Sequence, residues 1–289
     1  MNEDRRVRIT EVGPRDGLQN ESTLVPVAGK IAFVDALGDA GFPEIEVTSF
    51  VSPKWVPQLA DAAEVMSGIT RRSSTTYSVL CPNQRGAEAA LAAGADKISI
   101  FTSASEGFCR KNLNASIGES IERFRPVVDL ARTASLPIRG YVSCMVRCPY
   151  DGPVDPEDVL GTVRRLLDLA GGDIEIALGE TLGVAEPDQI EAVLDEVASV
   201  VPVSRIDLHL HDTKGMALAG VDRALQCGVR AFDSSCGGLG GCPFAPGASG
   251  NLATGPLLDM LEQGGWETGV DRAAVERAAV IASRITGRV

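Results

Sequence analysis

Residues 205–212 read RIDLHLHD, a short apolar run that closes on polar side chains. The same unit recurs along the chain. Strand-like runs stand at VRITEVG (7–13), EIEVTSF (44–50), TTYSVL (75–80), KISIFTS (97–103), PIRGYVS (137–143), IEIALGE (174–180) and AFDSSCGG (231–238). With RIDLHLHD they make eight. Ala/Leu-rich stretches of helical period separate them, such as Val27–Ala40 and Arg85–Ala93, the second ending at a Gly-Ala-Asp turn (94–96). Pro156–Ala170 starts behind Asp155, an expected N-cap, and stops at Gly171-Gly172. Regular β–α alternation implies parallel strands joined by right-handed crossovers. Eight repeats predict closure into an α/β (β/α)8 TIM barrel, a single domain over 1–289 with C-terminal helices. Eight units in one open, doubly wound sheet would be unusual.

The bulk numbers agree. The chain has 289 residues, close to the roughly 250 that a TIM barrel needs. Aromatics make up 4% of it, so an aliphatic core of Val, Ile, Leu and Ala is expected. The formal net charge is −12, a poor match to nucleic-acid binding, which needs a basic footprint. No apolar run approaches the ~18 residues of a membrane span, and the start, MNEDRRVRIT, has no apolar segment of a signal peptide. The seven cysteines are an odd number without a CxxC pair, which points to free thiols and a cytoplasmic setting.

Polar residues gather at the C-terminal ends of these strands, where TIM barrels keep their chemistry. Arg15 and Asp16 follow the first, Glu46 and Ser49 sit late in the second, and Glu180 closes the sixth. The chain's two histidines, His209 and His211, close the seventh. At i and i+2 on a strand they face one side, a metal-ligand arrangement. Two hydrogen-bonded interior histidines are the plainer reading. Asp16, in the PRDG turn, is a third candidate ligand and Asn251 a fourth, the latter about as readily an N-cap. Nitrogen and oxygen donors without thiolate suit Mg²⁺ or Mn²⁺, with Zn²⁺ as a further candidate. Arg15 can donate two hydrogen bonds to a developing enolate oxygen. Glu46, among apolar neighbours, needs a partner, either Arg15 or a metal-bound water. Cys242 lies in GGLGGCPFAPGASG, where six of fourteen residues are Gly: a lid carrying a thiol, or a structural turn with an incidental one. Cys144 and Cys148 read as marking a loop rather than a metal site.

Five motifs taken together carry a resemblance: EVGPRDGLQNE (11–21), EVTSFVSPKWVPQ (46–58), RGYVSC (139–144), HLHDTKG (209–215) and GGLGGCPFAPGASGNLAT (237–254). The chain resembles the 3-hydroxy-3-methylglutaryl-CoA lyases, metal-dependent TIM-barrel enzymes, over roughly residues 7 to 285. The resemblance implies that Asp16, His209, His211 and Asn251 hold the metal. It implies that Arg15 stabilises a thioester enolate, that Cys242 serves in acid–base catalysis, and that His209 also takes part in proton transfer. Glu46 then stands beside the metal shell as a catalytic residue, and Gln19, Ser49 and Tyr141 join Arg15 as substrate contacts. An acyl-CoA substrate and a homodimer follow from the same likeness. The chain departs from the family pattern at Ala177 and Glu180 (ALGETLG for SLGDTIG), at Lys214 and Met216 (HDTKGM for HDTYGQ) and at Gly255 (NLATGP for NLATED). Those departures raise the prospect of an altered acyl pocket.

The activity implied is a retro-Claisen cleavage of a 3-hydroxyacyl-CoA, with 3-hydroxy-3-methylglutaryl-CoA giving acetyl-CoA and acetoacetate. A related substrate such as citramalyl-CoA is the nearest alternative. A metal hydrolase is a different class, but in the commonest barrels of that kind the HxH pair sits on the first strand, not the seventh. A non-catalytic metal- or CoA-binding protein is the third reading and predicts no turnover.

Overall fold

The computed structural model describes residues 5–240 and 250–288. Eight parallel strands close into a barrel: β1 (Arg8–Glu11), β2 (Glu44–Ser49), β3 (Thr76–Leu80), β4 (Lys97–Ser103), β5 (Ile138–Ser143), β6 (Glu175–Glu180), β7 (Ile206–Leu210) and β8 (Ala231–Ser234). Each pairs with its sequence neighbour, and β8 returns to β1 with Arg8 opposite Ala231 and Glu11 opposite Ser234. This is the (β/α)8 barrel expected, and two helices follow the last strand, Thr254–Gln263 and Arg272–Thr286.

Local chemistry explains the helix limits. Asn83 accepts from Gly86 N at the start of Gln84–Ala92, and Ser116 and Glu119 form a reciprocal capping box on Ile117–Arg123. Pro156 opens Pro156–Ala170 and Gly171, at φ 63°, ends it. Asp155 holds the N-cap position there but its side chain makes no capping hydrogen bond, a correction to the sequence expectation. Two short pairings after β5, Arg147–Cys148 and Gly152–Pro153, form a small antiparallel hairpin. Cys144 and Cys148 accordingly lie on loop and hairpin, not on a helix.

The aliphatic core exists, but as a shell between strands and helices rather than inside the barrel. Ile9, Ile45, Val79, Ile98, Val142, Ile176, Leu178, Ile206 and Leu208 are buried in it. The alternate strand positions are largely polar, and several of them are charged. Arg139 is wholly buried, its Nη2 2.6 Å from Asp233 Oδ1 and 3.2 Å from Asp207 Oδ2. Arg8 reaches Asp207 (2.7 Å) and Glu44 (3.2 Å), and Lys97 reaches Glu44 (2.8 Å) and Glu175 (2.5 Å). Removing one member of such a pair costs about 3–5 kcal/mol, because the other is left as an uncompensated buried charge. Leu80, Tyr141 and Ala177, with Phe101, form a second, small apolar cluster on this inner face.

A candidate metal centre at the barrel mouth

The chain leaves β1 through one π-helical turn, Gly13–Gly17. The N–H groups of Arg15, Asp16 and Gly17 all donate to Val12 O, at 3.2, 2.8 and 3.1 Å. A Cβ on Gly13 would stand 2.6 Å from Glu11 Oε1, and one on Gly17 2.7 Å from Leu239 Cβ, so both positions require glycine. Glu11 pins the turn from below. Its Oε1 accepts from Gly13 N and Cys236 N, and its Oε2 from Thr254 Oγ1, each at 2.8 Å. Burial pushes this carboxyl up to about 7 against the pull of those hydrogen bonds.

The turn sets Arg15 and Asp16 over the barrel. Arg15 Nε donates to Glu46 Oε2 at 2.5 Å, and its Nη1 bonds Asp16 Oδ1. The guanidinium carbon lies 5.5 Å from the centre of the Tyr141 ring. The Tyr141 hydroxyl is 3.3 Å from Glu46 Oε2 and 3.4 Å from Asp233 Oδ2. Glu46 thus has the partner its burial demanded.

Asp16, His209 and His211 converge, with one candidate ligand atom from each lying within 4.8 Å of the others. The two Nε2 atoms face each other at 3.3 Å, and Asp16 Oδ2 is 3.9 Å from that of His209. Asn251 is drawn in by an isolated bridge to His211, and its Nδ2 donates to Asp16 Oδ2 at 2.8 Å. Its Oδ1 is buried and has no hydrogen-bond partner among the described residues. Burial and neighbouring His209 push His211 down to about 4, so it is neutral and its lone pair is available. Burial would raise Asp16, but the Arg15 guanidinium, the two imidazoles and the Asn251 amide hold it well below the usual carboxylate range. The cluster therefore offers a carboxylate, two imidazoles and an orphaned amide oxygen, with too few protons to satisfy them. That excess of lone pairs fits a divalent cation.

Ser49 ends β2 opposite Leu80 and is buried, its hydroxyl unpartnered among the described residues. Gln19 is half-buried just past the π-helical turn. No described hydrogen bond joins either to the cluster. Cys242 lies outside the described residues. The ends of its segment do reach the cluster: Gly250 N donates to Gly240 O at 3.3 Å, and a Cβ on Gly240 would stand 2.7 Å from Asn251 Nδ2. Sequence reading passed over Glu11, Arg139 and Asp233. Their signal was an acid or base inside an otherwise apolar strand.

Two of the departures do not face the cluster. Glu180 turns its carboxylate to Val184 N at 3.1 Å and holds the loop after β6. Gly255 opens the helix Thr254–Gln263 and faces the Arg272 guanidinium, 3.2 Å from where a Cβ would be. Lys214 is exposed on the loop after β7, and Ala177 sits in the inner apolar cluster beside Tyr141.

Fold and site together define a TIM-barrel enzyme with a cluster of nitrogen and oxygen donors that could hold a cation at the barrel mouth and a buried guanidinium beside it. The chain belongs to the HMGL-like family, whose model matches residues 6–281. It is 51% identical to hydroxymethylglutaryl-CoA lyase, mitochondrial, of Gallus gallus over 92% of this chain and 89% of that one. It is 47% identical to the 3-hydroxy-3-isohexenylglutaryl-CoA/hydroxy-methylglutaryl-CoA lyase of Pseudomonas aeruginosa, over 100% of this chain and 95% of that one. The crystal structure of the HMG-CoA lyase from Brucella melitensis superposes with a TM-score of 0.95 at 50% identity, covering 98% of this chain and 99% of that chain.

Proposed function

We propose that this protein cleaves 3-hydroxy-3-methylglutaryl-CoA to acetyl-CoA and acetoacetate, with Mg²⁺ or Mn²⁺ at the mouth cluster and Zn²⁺ as a third candidate. The observation that carries the reading is Arg15, a buried guanidinium fixed by Glu46 and by Asp16, the latter clustered in turn with His209, His211 and Asn251. The relatives named above, about half identical over nearly the whole chain, support the substrate.

Asp16, His209, His211 and Asn251 would hold the cation, whose chemistry is to lower the pKa of the substrate's 3-hydroxyl and polarise a second oxygen. A base removes the hydroxyl proton. The C2–C3 bond then breaks and its electron pair passes into the thioester as an enolate. Arg15 stabilises the enolate oxygen through guanidinium N–H groups, held in place before the charge develops. Glu46 and Tyr141 keep the guanidinium from turning away. A proton returned to C2 completes acetyl-CoA. Cys242, two residues along the chain from Gly240, is our candidate for that acid, supported by the anchoring of Gly240 and Gly250 beside Asn251.

The experiment is a panel of 3-hydroxyacyl-CoAs, including citramalyl-CoA and an isohexenyl homologue, incubated with Mg²⁺ while acetyl-CoA is followed. A kcat/KM for 3-hydroxy-3-methylglutaryl-CoA of about 10⁴ M⁻¹s⁻¹ or more, above all others, is expected. A better substrate in the panel overturns the substrate assignment, and turnover of none of them overturns the activity.

A further inference from the structure

We propose that Asp233, clamped by Arg139, is the positioning residue that sets the His209 tautomer and so presents its Nε2 lone pair to the metal cluster. The inference rests on the reading that this cluster binds a divalent cation. Three residues from three strands form the chain of contacts. His209 Nδ1, on β7, is 2.9 Å from Asp233 Oδ2, on β8. Arg139 Nη2, on β5, donates to Asp233 Oδ1 at 2.6 Å. Arg139 and Asp233 are both almost fully removed from solvent, so nothing from water competes for either carboxylate oxygen.

The donors and acceptors along this chain fix where the imidazole proton sits. Arg139 has only donors, so the atom facing it must be an acceptor. Asp233, as a carboxylate, has only acceptors, so the His209 nitrogen facing Oδ2 must carry a proton. A neutral imidazole has one such proton. With it on Nδ1, the lone pair lies on Nε2, the atom that faces His211 Nε2 at 3.3 Å and Asp16 Oδ2 at 3.9 Å. The Tyr141 hydroxyl lies between Glu46 Oε2 (3.3 Å) and this Oδ2 (3.4 Å), and its single proton serves one of the two carboxylates at a time. The choice of ligand atom on β7 is thus dictated from β5, across the barrel.

Asp233→Asn is the discriminating change. Arg139 forces the amide oxygen to take the place of Oδ1, because an amide NH₂ there would oppose a guanidinium N–H. The NH₂ then faces His209 Nδ1, which becomes an acceptor, and the imidazole proton moves to Nε2. The side-chain volume hardly changes, yet the ligand atom is blocked.

The chain has two histidines, so a ¹⁵N-histidine-labelled sample carries two imidazoles, and His211→Gln assigns them by leaving one. Long-range ¹H–¹⁵N correlation on metal-free protein at about pH 8.5, where ordinary imidazoles are neutral, reads each tautomer directly. His209 is expected to be protonated on Nδ1 in the wild type and on Nε2 in Asp233→Asn. Mn²⁺ titration followed by electron paramagnetic resonance is expected to show about 10- to 100-fold weaker binding by Asp233→Asn, the usual effect of losing such a partner. An Nε2-protonated His209 in the wild type overturns the proposal, and this holds even where the variant does not fold. Equal Mn²⁺ affinity in the two proteins overturns it as well. Failure of the wild type to bind Mn²⁺ at all overturns the metal reading on which it rests.

Discussion

Arg15→Met separates what the guanidinium does for the fold from what it does for the reaction. The change keeps most of the stem and deletes the charged head. Glu46, with no exposed side-chain surface, then loses its 2.5 Å bond to Nε and keeps only the Tyr141 hydroxyl at 3.3 Å. Its other oxygen already has no hydrogen-bond partner among the described residues. Orphaning one member of a buried pair costs about 3–5 kcal/mol, and the surviving tyrosine contact places this case near about 3. At about 1.6 °C of melting temperature per kcal/mol for a chain of this size, the melt should fall by about 5 °C. The chemical loss is separate. A donor aimed at charge that exists only in the transition state should take at least ~10² from kcat and change KM far less. Steady-state release of acetyl-CoA and a thermal melt measure the two effects. The double variant Arg15→Met/Glu46→Gln decides between them, because a neutral amide at 46 needs no countercharge. It should regain most of the melting temperature and none of the turnover. Recovery of kcat in the double variant, or an unchanged kcat in the single one, would refute a catalytic role for Arg15.

His209→Ala and Asp16→Ala should each abolish turnover and weaken Mn²⁺ binding, and full activity of both in EDTA removes the metal hypothesis. Cys242→Ser should fold with an unchanged melting temperature and lose most activity, since a hydroxyl is a far weaker acid than a thiol; alkylation of the wild type should inactivate it and bound substrate should protect, whereas wild-type kcat in the variant rules out the thiol. Glu11 gives a pH signature. Its folded-state value, raised from 4.5 to about 7, means the native state holds a proton that the unfolded chain releases, so stability falls as pH rises from about 4.5 through about 7. The loss is of order 3 kcal/mol, and Glu11→Gln should flatten the urea-derived stability of the protein across that window; an identical pH profile for the two proteins counts against it.

The barrel was legible because its strands are short, regularly spaced and each closed by polar residues. The convergence of Asp16, His209 and His211 was legible for the same reason: the histidines share a strand face, and Asp16 sits in a turn fenced by proline and glycine. Asp233 and Glu11 were not. An acid inside AFDS or RITE announces that it needs a partner, but the partner lies on another strand, and only the closed barrel names it. The directions of the departing side chains were hidden for a related reason. Glu180 and Gly255 are near the site in sequence, yet strand alternation turns Glu180 towards the outer loop and the helix start turns Gly255 towards Arg272. Proximity in sequence does not tell which way a side chain points. Lys214 and Ala177 are placed on the loop and inner face by the fold alone.

The charged interior has a consequence for how the molecule comes together. Arg8, Glu44, Lys97, Arg139, Glu175, Asp207 and Asp233 come from seven of the eight strands, and each answers a charge contributed by a different strand. A fragment ending after β4 would hold Arg8, Glu44 and Lys97 without Glu175 or Asp207; one beginning at β5 would hold Asp207 and Asp233 with Arg139 as their one cation. Neither piece balances. The barrel is consequently not a pair of independent halves, and proteolysis between β4 and β5 should yield two unfolded peptides that regain structure only when mixed.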